Sequence, residues 1–285
     1  MPPNISDPPR AFAKPEVYEA LAERGVNYAI RIPAIFGAGL KIERAKPVRL
    51  SAHSGKRPSD AGRYGMGVDE LALLAQQLYV AGPYLMRKMM HYRILICPFE
   101  RLVPHVPPKA HVLDAGCGAG LFLALLAGAV PDVAGLGFDS SPSAIEAAAR
   151  MAEQVKLLGL GADLRFIRLD VAEAWPAGLF DVVSLVDLLH HVPPAHQKGT
   201  IERATKKVKP GGVLLYKDMA NHPAFHASMN RLHDLIIARQ WIHYLPIHCV
   251  DDWTAEFGLV RAHAEGISRL WYRHELRIYR KPSNP

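Results

Sequence analysis

The sequence predicts an α/β protein built on a doubly wound, mostly parallel sheet of seven strands. Three observations predict it. From His111 onward, short apolar and β-branched runs alternate with longer helical patterns, as βαβ units do. The first of these runs enters a glycine-rich turn, VLDAGCGAG at 112–120, that leads straight into the helical pattern LFLALLA. The chain closes on two apolar runs, 259–265 and 274–280, suited to an antiparallel hairpin.

Taken in order, strands are expected at 111–115, 134–138, 164–169, 180–186 and 212–217, with right-handed crossovers between them. The helices between them are expected near 119–129, at 142–158 with Ser141 as N-cap and Pro142 in the first turn, and at 194–208, stopping before Pro210-Gly211-Gly212. An insertion at 219–246 follows the fifth strand with a helical pattern from about Pro223, and a further helix is expected at 249–257. The first 110 residues differ in kind: a short helix at 15–24, a Gly/Pro/basic stretch to about 67, then an apolar helical region at 68–92. This divides the chain into a basic segment with a helical cap at 1–100 and an α/β domain at 101–285.

With 285 residues, 49% of them hydrophobic, the chain can bury a full core. Its three cysteines, Cys97, Cys117 and Cys249, are scattered and lack CxxC spacing, which points to a reducing compartment and against a disulfide framework or zinc knuckle. The opening MPPNISDPPR has no basic patch leading into an apolar run, so a secretory signal is not expected. The apolar run Leu71–Met86 contains Gln76, Gln77 and Pro83 and falls short of the roughly 20 residues that span a bilayer. A cytoplasmic protein is expected, with peripheral contact at the inner face of a membrane as the alternative. The net charge of +7 is uneven: residues 1–110 carry 16 Lys/Arg against 9 Asp/Glu, and residues 111–285 carry 18 of each. The excess is densest at Lys41–Arg63, a segment suited to an anionic partner.

In VLDAGCGAG, Gly116, Gly118 and Gly120 fall at alternate positions between strand and helix, where glycine permits a tight turn and close approach of a ligand. A dinucleotide fingerprint needs GxGxxG, and Leu121 stands where its third glycine belongs. Asp114, just before the glycines, suits a cationic amino group better than a phosphate. Asp139 closes the second strand, where a carboxylate can accept bonds from both hydroxyls of a ribose, and Asp170 closes the third, where it can take an exocyclic amine. The bland alternative is that Asp139 and Asp170 only cap the helices that follow.

Over about residues 100–285 the sequence resembles the class I S-adenosylmethionine-dependent methyltransferases, which have a Rossmann-like fold. The resemblance rests on VLDAGCGAG, the acids in GLGFDSS and FIRLDV, the strand FDVVSLVDLLHHVP and the turn KPGGVLLYKD. It implies S-adenosyl-L-methionine as cofactor, held by Asp114, Gly116, Gly118, Asp139, Ser140, Asp170, Val171 and Asp187. Residues 186–189 read Val-Asp-Leu-Leu, lacking the Asn/Asp-Pro-Pro-aromatic element of nucleobase amino-methylation, and no cysteine is placed for cytosine C5 chemistry. LLHHVP at 188–193 is similar to the quinone-biosynthesis and small-molecule branch.

Methyl transfer to a hydroxyl needs alignment and removal of a proton. His190 and His191 stand beside the expected transfer site as candidate bases, the alternative being that one only packs. His222, His226 and His233 share one helical face of the insertion and are read as a substrate-facing stripe together with Asp218 and Lys217. A metal site is disfavoured because carboxylate or thiolate partners are not obvious. The apolar region 71–103 is read as a cap over the cofactor, or as a membrane-touching surface using Arg87, Lys88 and Arg93. The expected function is methylation, mainly at oxygen, of a small or lipid-like acceptor. The alternatives are an RNA methyltransferase, disfavoured because aromatics are not interleaved with the basic residues, and a non-catalytic cofactor-binding module.

Overall fold

The structure, a computed structural model, describes residues 66–220, 243, 245–270 and 272–283. The expected helix at 15–24, the basic segment at 41–63 and most of the 219–246 insertion, with His222, His226 and His233, lie outside the described residues.

Among the described residues, helices α1 (Val68–Leu78) and α2 (Tyr84–Ile96) come first, then a single turn, α3 (Phe99–Leu102), running into a 3-10 turn at Val103–His105. Gly82-Pro83 splits the apolar region expected as one helical stretch, because proline cannot donate within a helix and glycine turns at φ +97°. The α/β part follows as β1 (His111–Ala115), α4 (Leu121–Ala129), β2 (Ala134–Asp139), α5 (Pro142–Leu157), β3 (Asp163–Arg168), β4 (Phe180–Val186), a 3-10 turn at Leu189–His191, α6 (Pro194–Lys207), β5 (Val208–Met219), α7 (Ile247–Glu256), β6 (Val260–Arg269) and β7 (Tyr272–Arg280). The strands form one sheet in the order β3-β2-β1-β4-β5-β7-β6. The first five are parallel, and β7 runs antiparallel to both β5 and β6, so the expected sheet and closing hairpin are present.

Packing follows from the apolar pattern. Residues 112–115 of β1 and all of Leu121–Ala127 in α4 are buried, as a central strand and an all-round apolar helix must be. One core gathers α1, α2, α4 and α5 on one face of the sheet; a second gathers α6 and α7 on the other. The Ser141 hydroxyl accepts from the Ala144 N–H at 3.3 Å, so α5 begins at the expected cap.

β5 begins four residues earlier than expected. Val208 already pairs with Phe180, and the ladder then shifts to Val182 with Val213; the bulge absorbs Pro210, which cannot donate, and Gly211 at φ +77°. The order reverses at β1, which pairs with both β2 and β4, leaving a crevice at the carboxyl ends of these three strands.

Candidate cofactor and acceptor site

The glycine turn at the end of β1 is held from three sides. Cys117 donates its N–H to the Phe138 carbonyl at 3.0 Å, and Gly118 donates its N–H to Asp139 Oδ2 at 2.9 Å. Tyr79, at the end of α1, donates its hydroxyl to the Ala119 carbonyl at 2.7 Å. Gly116, Gly118 and Gly120 all lie at positive φ. A Cβ at Gly116 would sit 2.5 Å from Leu188, so glycine there is a packing requirement. A Cβ at Gly118 would have no neighbour within 4 Å. The backbone at Gly118 therefore borders open space, as a turn that cradles a ligand requires.

The acids expected from sequence lie at or just beyond the carboxyl ends of β1, β2, β3 and β4. Asp114 is buried, and its Oδ1 accepts from the Ser184 hydroxyl at 2.6 Å. Burial pushes its carboxyl up to about 7, against the opposing pull of Ser184 and Arg93. Asp139 is half-buried and accepts from Gly118 through one oxygen and from the Ser141 N–H at 2.9 Å through the other. It caps locally and ties β2 to the glycine turn, and each oxygen retains a second lone pair. Ser140 is exposed beside it. Asp170 is exposed and accepts from the Ala172 N–H at 2.8 Å, a local turn contact, while the half-buried Val171 receives Trp175 Nε1 on its carbonyl at 3.0 Å.

Asp187 follows β4 at φ +54° and lies between two cations. Arg93 of α2 reaches its Oδ2 at 2.9 Å, and Lys217 of β5, itself 1% exposed, reaches Oδ1 at 2.5 Å. Burial would raise the Asp187 carboxyl, but Lys217 and Arg93 hold it well below the usual carboxylate range. Burial would lower Lys217 and Arg93, yet Asp187 keeps both above their ordinary values. Arg93 is thus turned inward onto the site, which removes it from the surface cations with which the sequence reading grouped it.

His190 is buried and His191 exposed, their rings 4.0 Å apart between centroids. The Nδ1 of His190 meets Oδ1 of Asp218, and the backbone N–H of His190 reaches Oδ2 at 3.3 Å. An ionised carboxylate only accepts, so this contact assigns the ring proton to Nδ1. Asp218, expected to meet the acceptor, is engaged by His190 and by its neighbour Met219, whose N–H it accepts at 2.8 Å. Lys217, expected likewise, is engaged by Asp187. Among the described residues no group of three or more His, Cys, Asp or Glu is placed to hold a metal ion, and no helix is long and apolar enough to cross a membrane.

Sequence reasoning missed Tyr79, Ser184 and the inward turn of Arg93. Ser184 did leave a signal, being a lone hydroxyl inside the buried run FDVVSLV, where a polar atom needs a partner.

A sequence profile described as a methyltransferase domain matches residues 86–263. The chain belongs to this family. That agrees with the class I S-adenosylmethionine-dependent assignment and the Rossmann-like fold expected from sequence. The chain is 33% identical over 141 residues to a ubiquinone biosynthesis O-methyltransferase from Methylocella silvestris, a match covering 50% of this chain and 48% of that protein. The chain thus spans about half the length of this curated relative. Among solved structures it is similar to an O-methyltransferase family 2 protein from Planctomyces limnophilus in complex with apigenin (TM-score 0.56, 20% identity, 74% of this chain and 65% of that one). It is also similar to magnesium protoporphyrin IX methyltransferase from Synechocystis with bound S-adenosylhomocysteine (TM-score 0.54, 18% identity, 73% and 93%). At these identities the structures share the fold with this chain.

Proposed function

We propose that this methyltransferase-family chain methylates an oxygen of a small or lipid-like acceptor, using S-adenosylmethionine. The observation that carries the reading is the buried His190–Asp218 pair at the carboxyl ends of β4 and β5. The names of the relatives support the chemistry, being O-methyltransferases of ubiquinone biosynthesis and of family 2.

The open backbone at Gly118 and the ring of acids fit the cofactor. Asp114 would take its ammonium group, Asp139 with Ser140 its ribose, and Asp170 with the Val171 backbone its adenine. Gly116 and Gly118 would leave room for its methionine portion. Asp187, bound to Arg93 and Lys217, would wall the transfer site. When bound, S-adenosylmethionine supplies an electrophilic methyl group on a positively charged sulfur. The protein then has to hold the acceptor oxygen in line and remove its proton. His190 is the base: Nε2 takes the hydroxyl proton, and the carboxylate of Asp218 holds the ring in the needed tautomer and stabilises the imidazolium. His191, exposed, contributes through its ring contact with His190.

The test is an extract-wide assay with cofactor labelled in the methyl group. The expected product partitions into organic solvent and carries a methyl ether. Label precipitating with nucleic acid would replace the reading with RNA methylation, and absence of transfer despite cofactor binding would leave a binding module.

A further inference from the structure

The turn joining α1 to α2 combines exposed apolar side chains with a cluster of positive charge. Val80, Tyr84 and Leu85 are 49%, 66% and 78% exposed. The Arg87 guanidinium and the Lys88 ammonium lie over the Tyr84 ring at 6.0 and 5.5 Å from its centroid. Residues 71–99 contain no Asp or Glu at all. Arg87 donates Nη1 to the Val80 carbonyl at 3.0 Å, which stitches the turn closed, while its Nε is buried with no hydrogen-bond partner. Arg150 of α5 adds a third cation: a Cβ at Gly82 would lie 3.3 Å from its Nε, and its Glu146 partner is 3.9 Å away and 70% exposed.

We infer that this turn is a peripheral docking surface for a bilayer containing anionic phospholipid. The chemistry is complementary at both levels. Leu85 and Val80 supply side chains that leave water by entering the acyl boundary, and Tyr84 supplies a ring whose hydroxyl stays at headgroup depth. Arg87, Lys88 and Arg150 face the phosphates; no carboxylate lies between Glu70 and Glu100, and the one beside Arg150, Glu146, is 3.9 Å away and largely exposed. A soluble anion would be drawn by the cations but would leave Leu85 and Val80 in water. A protein partner would not need an acid-free stretch of this length. Arg93 is not part of this surface, being held by Asp187.

The experiment is vesicle flotation of the full chain, with phosphatidylglycerol in phosphatidylcholine against phosphatidylcholine alone, at low and high salt. The chain is expected to float with the anionic vesicles at low salt and to be released by high salt. Lys88→Glu should weaken partitioning roughly 25-fold, since each charge at such a surface contributes about fivefold. Leu85→Ser should weaken it about tenfold through lost apolar burial. Both variants should keep wild-type affinity for S-adenosylhomocysteine, which separates a lost surface from a lost fold. No flotation at low salt, equal flotation with phosphatidylcholine alone, or unchanged flotation of the Lys88→Glu/Leu85→Ser double variant would each overturn the inference. So would release by inorganic phosphate beyond that of chloride at equal ionic strength, which would mean a site for a free anion. The measurement needs no methyl acceptor, so its outcome is independent of the proposed reaction.

Discussion

Replacing Asp114 by asparagine should remove the loss of stability that the wild type suffers as pH rises towards neutrality, while abolishing cofactor binding. Burial raises this carboxyl from the ordinary 3.8 to about 7. A carboxyl whose folded pKa lies above its unfolded one binds more protons in the folded state between the two values. Stability is therefore lost as pH rises from about 4 to about 7. The gap corresponds to on the order of 4 kcal/mol, of which roughly 3 falls between pH 5 and pH 8. Asparagine retains an acceptor for the Ser184 hydroxyl but buries an unpaired N–H, costing about 1–3 kcal/mol independently of pH. The slope is therefore the cleaner observable than the absolute stability. Thermal unfolding without cofactor, followed from pH 5 to pH 8, should show the wild type losing roughly 6–12 °C relative to Asp114→Asn, at about 2–4 °C per kcal/mol for a chain of this size. In the wild type, affinity for S-adenosylmethionine should rise as pH passes 7, because the ionised carboxylate is the form that attracts an ammonium group. Parallel pH profiles for the two proteins would falsify the claim that burial raises the Asp114 carboxyl.

Asp139→Ala should weaken S-adenosylhomocysteine binding at least tenfold in calorimetry, and an unchanged affinity would remove Asp139 from the cofactor site. His190→Ala should lower turnover at least a hundredfold with cofactor affinity preserved, and His191→Ala should lower it much less. Equal losses in turnover and affinity for His190→Ala would make it a packing residue. The two turn glycines should separate stability from binding. Gly116→Ala meets Leu188 and should unfold more readily by about 1–3 kcal/mol. Gly118→Ala meets nothing and carries only the strain of its φ, on the order of 1 kcal/mol, so its main loss should be in cofactor affinity.

How much of this was legible in the sequence depended on whether the determining interaction was local. β1 and β4 begin and end where the apolar runs do, because strands covered by helices on both faces write their burial into contiguous residues. Ser141 and Pro142 mark the start of α5 for an equally local reason. The start of β5 was hidden, since Pro210-Gly211-Gly212 reads as a turn and becomes a bulge only when β4 lies alongside. The side-chain pairings at the site were hidden more deeply. His190 meets Asp218 across 28 residues and Arg93 meets Asp187 across 94, separations far longer than any local helical or strand pattern reaches. The sequence could nominate His190, Asp218 and Asp187 as polar residues at strand ends. It had no means of saying that Asp218 serves the histidine, or that Arg93 turns inward while Arg87 and Lys88 on the same helix do not.

The inward turn of Arg93 bears on how exchangeable the front of this protein is. Asp187 is a half-buried anion whose charge is balanced from two directions, by a strand of the sheet and by a helix that precedes β1. Removing α2 would leave that anion with Lys217 alone and open its other oxygen to solvent. The helices ahead of β1 are thus not an accessory that could be trimmed or swapped to alter the acceptor while the sheet carried on unchanged. Any replacement for α2 would have to bring its own cation to the end of β4, so that helix and Asp187 can change only together.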